Sequence, residues 1–287
     1  MKTGDRWNVP QLFDEWKLGN VPPVPSFLSR LESYTFLVSD VTTPSRTMIL
    51  EFLSIADQDR ALRSFRKLAG HDISRWALTG GVAIEIHGAR LRGEPSIRSL
   101  NDIDFITDSF DFIPETLAND FLFRHIHPFD TPGKTMLQFV DPDSALRMDL
   151  FRACGATMTR TVRLDLPSGA IQLVSLEDLA ARTARLVLGL AEGIPVLSKH
   201  ARDFLRLIDL VEPAEVEAVW PDHRKPDHPL TFEETNALLH YLIPNHQELL
   251  VTAEYSKDTE AVCPRCSPTA TFELANPNVI LSLLGYC

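Results

Sequence analysis

The sequence predicts an α/β (α+β) fold, a mixed sheet flanked by helices with a helical C-terminal part after it. Three observations predict this. Short apolar stretches at 76–78, 103–107, 136–140, 146–151, 162–166 and 170–174 are bounded by turn-forming residues, as strands are. Apolar residues at helical spacing precede these stretches at 51–69 and interrupt them at 82–87. After Ser175 the period changes to that of a helix, as far as about residue 250. The chain divides accordingly into an irregular N-terminal extension (1–50), an α/β core (51–174) and a mainly helical C-terminal region with an acidic tail (175–287).

Each element has its own local reason. VPPVP at 21–25 and TTP at 42–44 break regular structure in the first 50 residues. EFLSIADQDRALRSFRKLA, residues 51–69, is a helix stopped by Gly70. Trp76–Leu78 reads as a short buried strand. Gly80 and Gly81 allow a tight turn into a helix opened by Val82–His87, with Ala83, Ile84 and Ile86 as its apolar face. Ile103–Thr107 is a strand. Met136–Val140 and Leu146–Phe151 are two more, separated by DPDS at 141–144. Pro-Ser-Gly between Val162–Leu166 and Ala170–Val174 signals a hairpin. Ser175 then caps LEDLAARTARLVLGLA, SKHARDFLRLIDLV follows as a second helix, and 212–250 is helical around FEETNALLHYL.

Composition narrows the function classes. With 44% hydrophobic and 23% charged residues the chain has the make-up of an ordinary globular protein. No run approaches the ~18 apolar residues a membrane span requires, and MKTGDRWNVPQLFDEWK lacks the apolar centre of a signal peptide. Four cysteines in 287 residues make no disulfide framework, so a cytoplasmic location is expected. A net charge of −11 argues at first against a phosphate-rich partner. It is unevenly spread: residues 207–287 hold 4 Lys/Arg against 13 Asp/Glu. Residues 60–100 instead hold eight basic side chains against three acidic ones, either a binding face or a solvated helix face.

The chemistry is concentrated between Leu78 and Asp149. Strand alternation points Asp102 and Asp104 of NDIDF the same way, about 6–7 Å apart, while Ile103 and Phe105 enter the core. Two such carboxylates repel unless a positive charge lies between them, and Mg²⁺ meets that need. In RMDLF, Asp149 lies on the face opposite Met148 and Leu150. Should the two strands be neighbours, three carboxylates converge. A glycine-rich turn at a helix start offers backbone N–H groups to phosphate, so Gly80–Gly81, the aspartates and a nucleoside triphosphate make one coherent site. Arg90 and Arg92, running from the helix into the loop before the D-x-D strand, are candidates for the triphosphate. His87 is expected to satisfy a local hydrogen bond, and Cys154 to lie in the core. Cys263-Pro-Arg-Cys266 has the spacing of a zinc knuckle; without a second such pair, free thiols are expected over a structural Zn²⁺.

TGGVAIEIHGARLR, SLNDIDF and MDLF, in that order, resemble the polymerase-β-type nucleotidyltransferases in their minimal bacterial form, in particular the AbiEii toxin-like branch of abortive-infection and toxin–antitoxin proteins. The resemblance covers about residues 75–211. It implies a nucleotidyltransferase fold, with Asp102 and Asp104 binding one or two Mg²⁺ and Asp149 helping to hold metal or activating the acceptor. It further implies nucleotide phosphates at Gly80–Gly81, transfer of an NMP from an NTP to an RNA acceptor, tRNA above all, and a separately encoded antitoxin as partner. Family members carry a lysine where SLEDLAART has Thr183, flanked here by Arg182 and Arg185. Lys199 and Asp203 keep a later K-x-x-x-D element, and Arg206 stands where a second acid is common. Arg182, Arg185 and Arg206 read as surface charges on amphipathic helices, although an arginine in the lysine's place can contact phosphate. Two other functions stay open: transfer to a small molecule such as an antibiotic or to a protein side chain, and a non-catalytic nucleotide-binding module.

Overall fold

A computed structural model of the chain describes residues 50–92, 99–129 and 133–252. The Ser54 hydroxyl accepts the Asp57 amide at 3.2 Å and starts α1, Ile55–Leu68, which buries Ala61, Phe65 and Leu68. Strand β1, Trp76–Thr79, passes directly into α2, Gly80–Arg92. Gly80, at φ +65°, makes the tight turn where the helix begins, and the helix continues well past His87.

The remaining strands are β2 (Asp102–Thr107), β3 (Leu122–Phe129), β4 (Gly133–Asp141), β5 (Leu146–Arg152) and the hairpin β6 (Val162–Leu166) and β7 (Gly169–Leu173). They form one seven-stranded mixed sheet in the order β3-β4-β5-β2-β1-β7-β6. The β2–β5 and β1–β7 pairs are parallel and the others antiparallel. Strand β3 has no counterpart in the sequence reading. Its LFRHIHPF stretch ends in Pro-Phe, and two register shifts against β4 interrupt any period-two pattern; an edge position tolerates both. On one face of the sheet the rings of Trp76, Phe105, Phe121, Phe139 and, from α1, Phe65 interlock at centroid distances of 5.4–6.3 Å.

Among the described residues the chain after Val174 is mainly helical. Ser175 caps α3, Leu176–Val187, accepting the Asp178 amide at 3.1 Å. Then come β8 (Val196–Leu197), α4 (Ser198–Ile208), α5 (Pro213–His223), α6 (Phe232–Asn245) and β9 (Leu250–Val251), with β9 parallel to β8. Arg206 of α4 forks onto the buried Glu85 of α2 at 2.7 and 2.9 Å. This arginine is an internal clamp, not the surface charge its helical spacing suggests. No helix among the described residues is long and apolar enough to cross a membrane.

The basic stretch at 60–100 is partly spent on the fold. Arg60 pairs with Asp57, Lys67 with Asp141 and Asp143, and Arg75 with Asp108, at 2.5–2.9 Å. Arg63, Arg66 and Arg90 remain exposed. Residues 1–49 and the cysteines at 263, 266 and 287, with the zinc expectation, lie outside the described residues.

Candidate active site

Strands β2 and β5 are neighbours, and their register sets Asp104 opposite Asp149 and Asp102 opposite Arg147. Alternation then does the rest. Ile103, Phe105, Met148 and Leu150 are fully buried on the core side, so the three aspartates share the other face. One carboxylate oxygen from each of Asp102, Asp104 and Asp149 lies within 4.8 Å of the others. The convergence expected from sequence is present.

Electrostatics show what this costs. Burial, then the neighbouring Asp102 and Asp149 carboxylates, push the Asp104 pKa up to about 7, against a smaller opposing pull from Arg182 and Lys199. Asp149 accepts a hydrogen bond from Gln138 Nε2 of β4 at 2.9 Å. Arg147 reaches into the cluster from β5, bonding Asp102 directly and standing 3.5 Å from Asp149 Oδ2. Burial works against its charge, but the carboxylates of Asp149 and Asp102 outweigh that and raise its pKa. Its Nε is buried without a hydrogen-bond partner.

Gly80 explains the Gly-Gly step. Its φ is +65°, and a Cβ there would lie 2.0 Å from Asp104 Oδ2. Only glycine permits both the left-handed backbone and the approach of the carboxylate. The first amides of α2, which have no intrahelical acceptor, thus begin beside the acidic cluster.

The other expected residues fall on both sides of the outcome. Lys199, at the start of α4, stands close enough to act on Asp104. Arg90 is exposed near the opposite end of α2, about 15 Å along the axis from Gly80 by the rise of a helix. The backbone of Arg92 ends that helix; its side chain lies outside the described residues. His87 bonds the Val174 carbonyl at 2.9 Å, as expected, and burial lowers its pKa.

Two participants, Arg147 and Gln138, escaped the sequence reading, and a third, Arg182, was read there as a surface charge. Arg147 had a signal, since it stands two residues before Asp149 and must share its face. Gln138 had none, because its place depends on register. Arg182 is no surface charge: it lies 5.1 Å over the Phe151 ring, Nη1 donates to Thr79 Oγ1 at 3.5 Å, and its charge reaches Asp104. Thr183, in the usual lysine position, is buried and donates to the Leu179 carbonyl at 2.7 Å.

The donor set fits a divalent cation. It consists of carboxylate oxygens, which suit hard ions such as Mg²⁺. The upward shift at Asp104 shows a cluster that Arg147 alone does not neutralise.

No protein-family model matches the chain, and no curated protein does. Among solved structures it is similar to an antigenic nucleotidyltransferase-like protein from Paracoccidioides brasiliensis, at 15% identity and TM-score 0.36, covering 68% of this chain and 95% of that one. It is also similar to the antibiotic-resistance factor ANT(2'')-Ia, at 13% identity and TM-score 0.38, over 67% of this chain and 100% of that one. A third is the Megavirus polyadenylate synthase, at 11% identity and TM-score 0.33, over 66% of this chain and 43% of that one.

Proposed function

We propose that the chain is a Mg²⁺-dependent nucleotidyltransferase, moving an NMP from an NTP to an RNA acceptor of the tRNA kind, as a toxin-type protein with a cognate antitoxin. One observation carries the reading. Asp102, Asp104 and Asp149 converge within 4.8 Å beside the Gly80 start of α2. The aspartates would hold the cation, which supplies charge neutralisation and Lewis acidity at the phosphates.

The chain's own groups supply the rest. The free amides and positive dipole end of α2 suit a triphosphate oxygen. Lys199 and Arg182, whose charges reach Asp104, would balance the remaining phosphate charge. Asp149, oriented by Gln138, is the carboxylate suited to take the proton of the acceptor hydroxyl. That oxygen bonds the α-phosphorus, the bond from it to the bridging oxygen breaks, and pyrophosphate leaves.

A small-molecule acceptor is a second reading, favoured by the ion pairs of Arg60, Lys67 and Arg75. These pairs withdraw three cations from any face that would grip RNA.

The test is incubation with each α-³²P-labelled NTP and Mg²⁺, with total tRNA or an aminoglycoside, beside Asp102→Ala/Asp104→Ala. Label in tRNA that requires both aspartates is expected. Label only on the small molecule selects the second reading, and label on the protein itself points to protein modification. No label, with no nucleotide binding by calorimetry, overturns the enzyme and leaves at most a binding module of another kind.

A further inference from the structure

Arg147 is held unlike the arginines that tie the helices of this fold together, and the difference bears on how the acidic cluster takes a cation. Alternation along β5 puts Arg147 and Asp149 on one face, and the pairing with β2 sets Arg147 opposite Asp102. The guanidinium therefore ends among the carboxylates. Its Nη2 donates to Asp102 Oδ2 and stands 3.5 Å from Asp149 Oδ2, so one nitrogen faces two of the three aspartates.

The helix-tying arginines bind as forks. Arg206 donates through Nη1 and Nη2 to the two oxygens of Glu85, at 2.7 and 2.9 Å. Arg160 donates through Nε and Nη2 to Asp178, at 2.8 and 2.7 Å, and Nη2 also meets Asp222 at 2.8 Å. A two-nitrogen fork is what makes an arginine–carboxylate pair strong and fixes its geometry. Arg147 has no fork. Nη2 alone bonds a carboxylate, and Nε is buried without a hydrogen-bond partner among the described residues. The side chain is 26% exposed, so its outer end is not locked in by packing. An ordinary cross-strand ion pair accounts for Arg147 opposite Asp102. It does not account for a guanidinium with an unpaired buried donor, set on two members of the cluster that would hold the cation.

We propose that Arg147 and a divalent cation compete for Asp102, so that the ion binds as Nη2 leaves that carboxylate. The inference rests on the reading of Asp102, Asp104 and Asp149 as the cation site. Arg147 is on this account a displaceable counter-charge. It balances part of the cluster's charge and holds down its affinity for a free ion.

The test titrates Mn²⁺, which takes the same oxygen donors as Mg²⁺, into the full chain stripped with EDTA and dialysed to pH 8. Electron paramagnetic resonance reads the free ion. Arg147→Met keeps the length of the side chain without its charge, and Arg147→Gln is a second neutral replacement; circular dichroism checks that each is folded. Breaking one charge-assisted hydrogen bond on entry corresponds to about tenfold in affinity, so both variants should bind Mn²⁺ about tenfold more tightly than the parent. Arg182→Gln separates displacement from general repulsion. The charge of Arg182 reaches Asp104, but its side chain bonds Thr79 and no aspartate among the described residues. Its loss should tighten binding by no more than about threefold. Folded Arg147 variants that bind no more tightly than the parent overturn the competition, and so does a gain at Arg182→Gln that matches theirs. Either result, with Mn²⁺ still bound by the parent and lost in Asp102→Ala/Asp104→Ala, leaves the nucleotidyltransferase reading in place. Mn²⁺ bound by none of these proteins overturns the inference together with the cation site beneath it.

Discussion

At Gly80 two demands meet, a backbone at φ +65° and a carboxylate oxygen where a side chain would be. Gly80→Ala must therefore strain the helix start and displace Asp104. The expected outcome is a stability loss of about 1–3 kcal/mol by urea unfolding. Label transfer should fall by more than about a hundredfold, since a misplaced group costs that much in a preorganised site. Unchanged transfer would mean that Asp104 does not need its observed position. Much at this scale was legible from local pattern. Asp102, Asp104 and Asp149 follow from period-two alternation, and a Gly-Gly step before an apolar stretch signals a special backbone. Which glycine is indispensable was not legible, because the answer depends on Asp104, 24 residues further on. Arg182 and Cys154 were misplaced for the same reason. Helical spacing shows a charge on a face but not that Phe151 and Thr79 lie beneath it, and a lone Cys carries no sign of the Arg185 guanidinium 3.4 Å from its sulfur.

Between elements, register does what local pattern cannot. The parallel pairing of β2 with β5 turns two separate acidic strands into one cluster, and β4 adds Gln138. Most strands and helices were readable because their apolar periods are clean; β3 was not, because its bulges break the period. The clamp between α2 and α4 was invisible in the sequence, since Glu85 and Arg206 look alike on any amphipathic helix. Glu85 is 3% exposed and Arg206 35%. Arg206→Ala leaves a buried carboxylate without its fork, at an expected cost of about 2–3 kcal/mol, below the fully buried range because the arginine is partly solvated. A Glu85→Leu/Arg206→Met pair should recover part of that loss, because no unpaired charge then remains. Urea midpoints of the single and double variants measure both. A double variant no more stable than the single would assign the cost to lost packing instead of the buried charge.

Across the whole molecule the titrating groups pull stability in opposite directions with pH. Asp178 and Asp141 are held below their ordinary values, so their contribution is present above about pH 4, the unfolded carboxyl value, and is lost on acidification. Asp104 has the opposite sign. Its folded pKa of about 7 exceeds that of the unfolded chain, so between about pH 4 and 7 the folded state retains a proton that the unfolded state has released, and raising the pH favours unfolding. His223, with its pKa raised, adds to this fall above about pH 6.5. The metal-free protein should therefore be most stable at mildly acid pH and lose stability towards pH 8. Asp104→Asn isolates one contribution: in EDTA it should raise the melting temperature at pH 8 and flatten the decline from pH 5, leaving the part due to His223. Mg²⁺ should raise the wild-type melting temperature at pH 8 more than at pH 5, because the ion competes with the Asp104 proton, and should do little for Asp104→Asn. Thermal scans at the two pH values, with and without Mg²⁺, read all of this without any activity assay. A wild type whose metal-free stability is flat from pH 5 to 8, or a variant that gains as much from Mg²⁺ as the wild type, would mean that Asp104 does not carry the unneutralised charge on which the cation site depends.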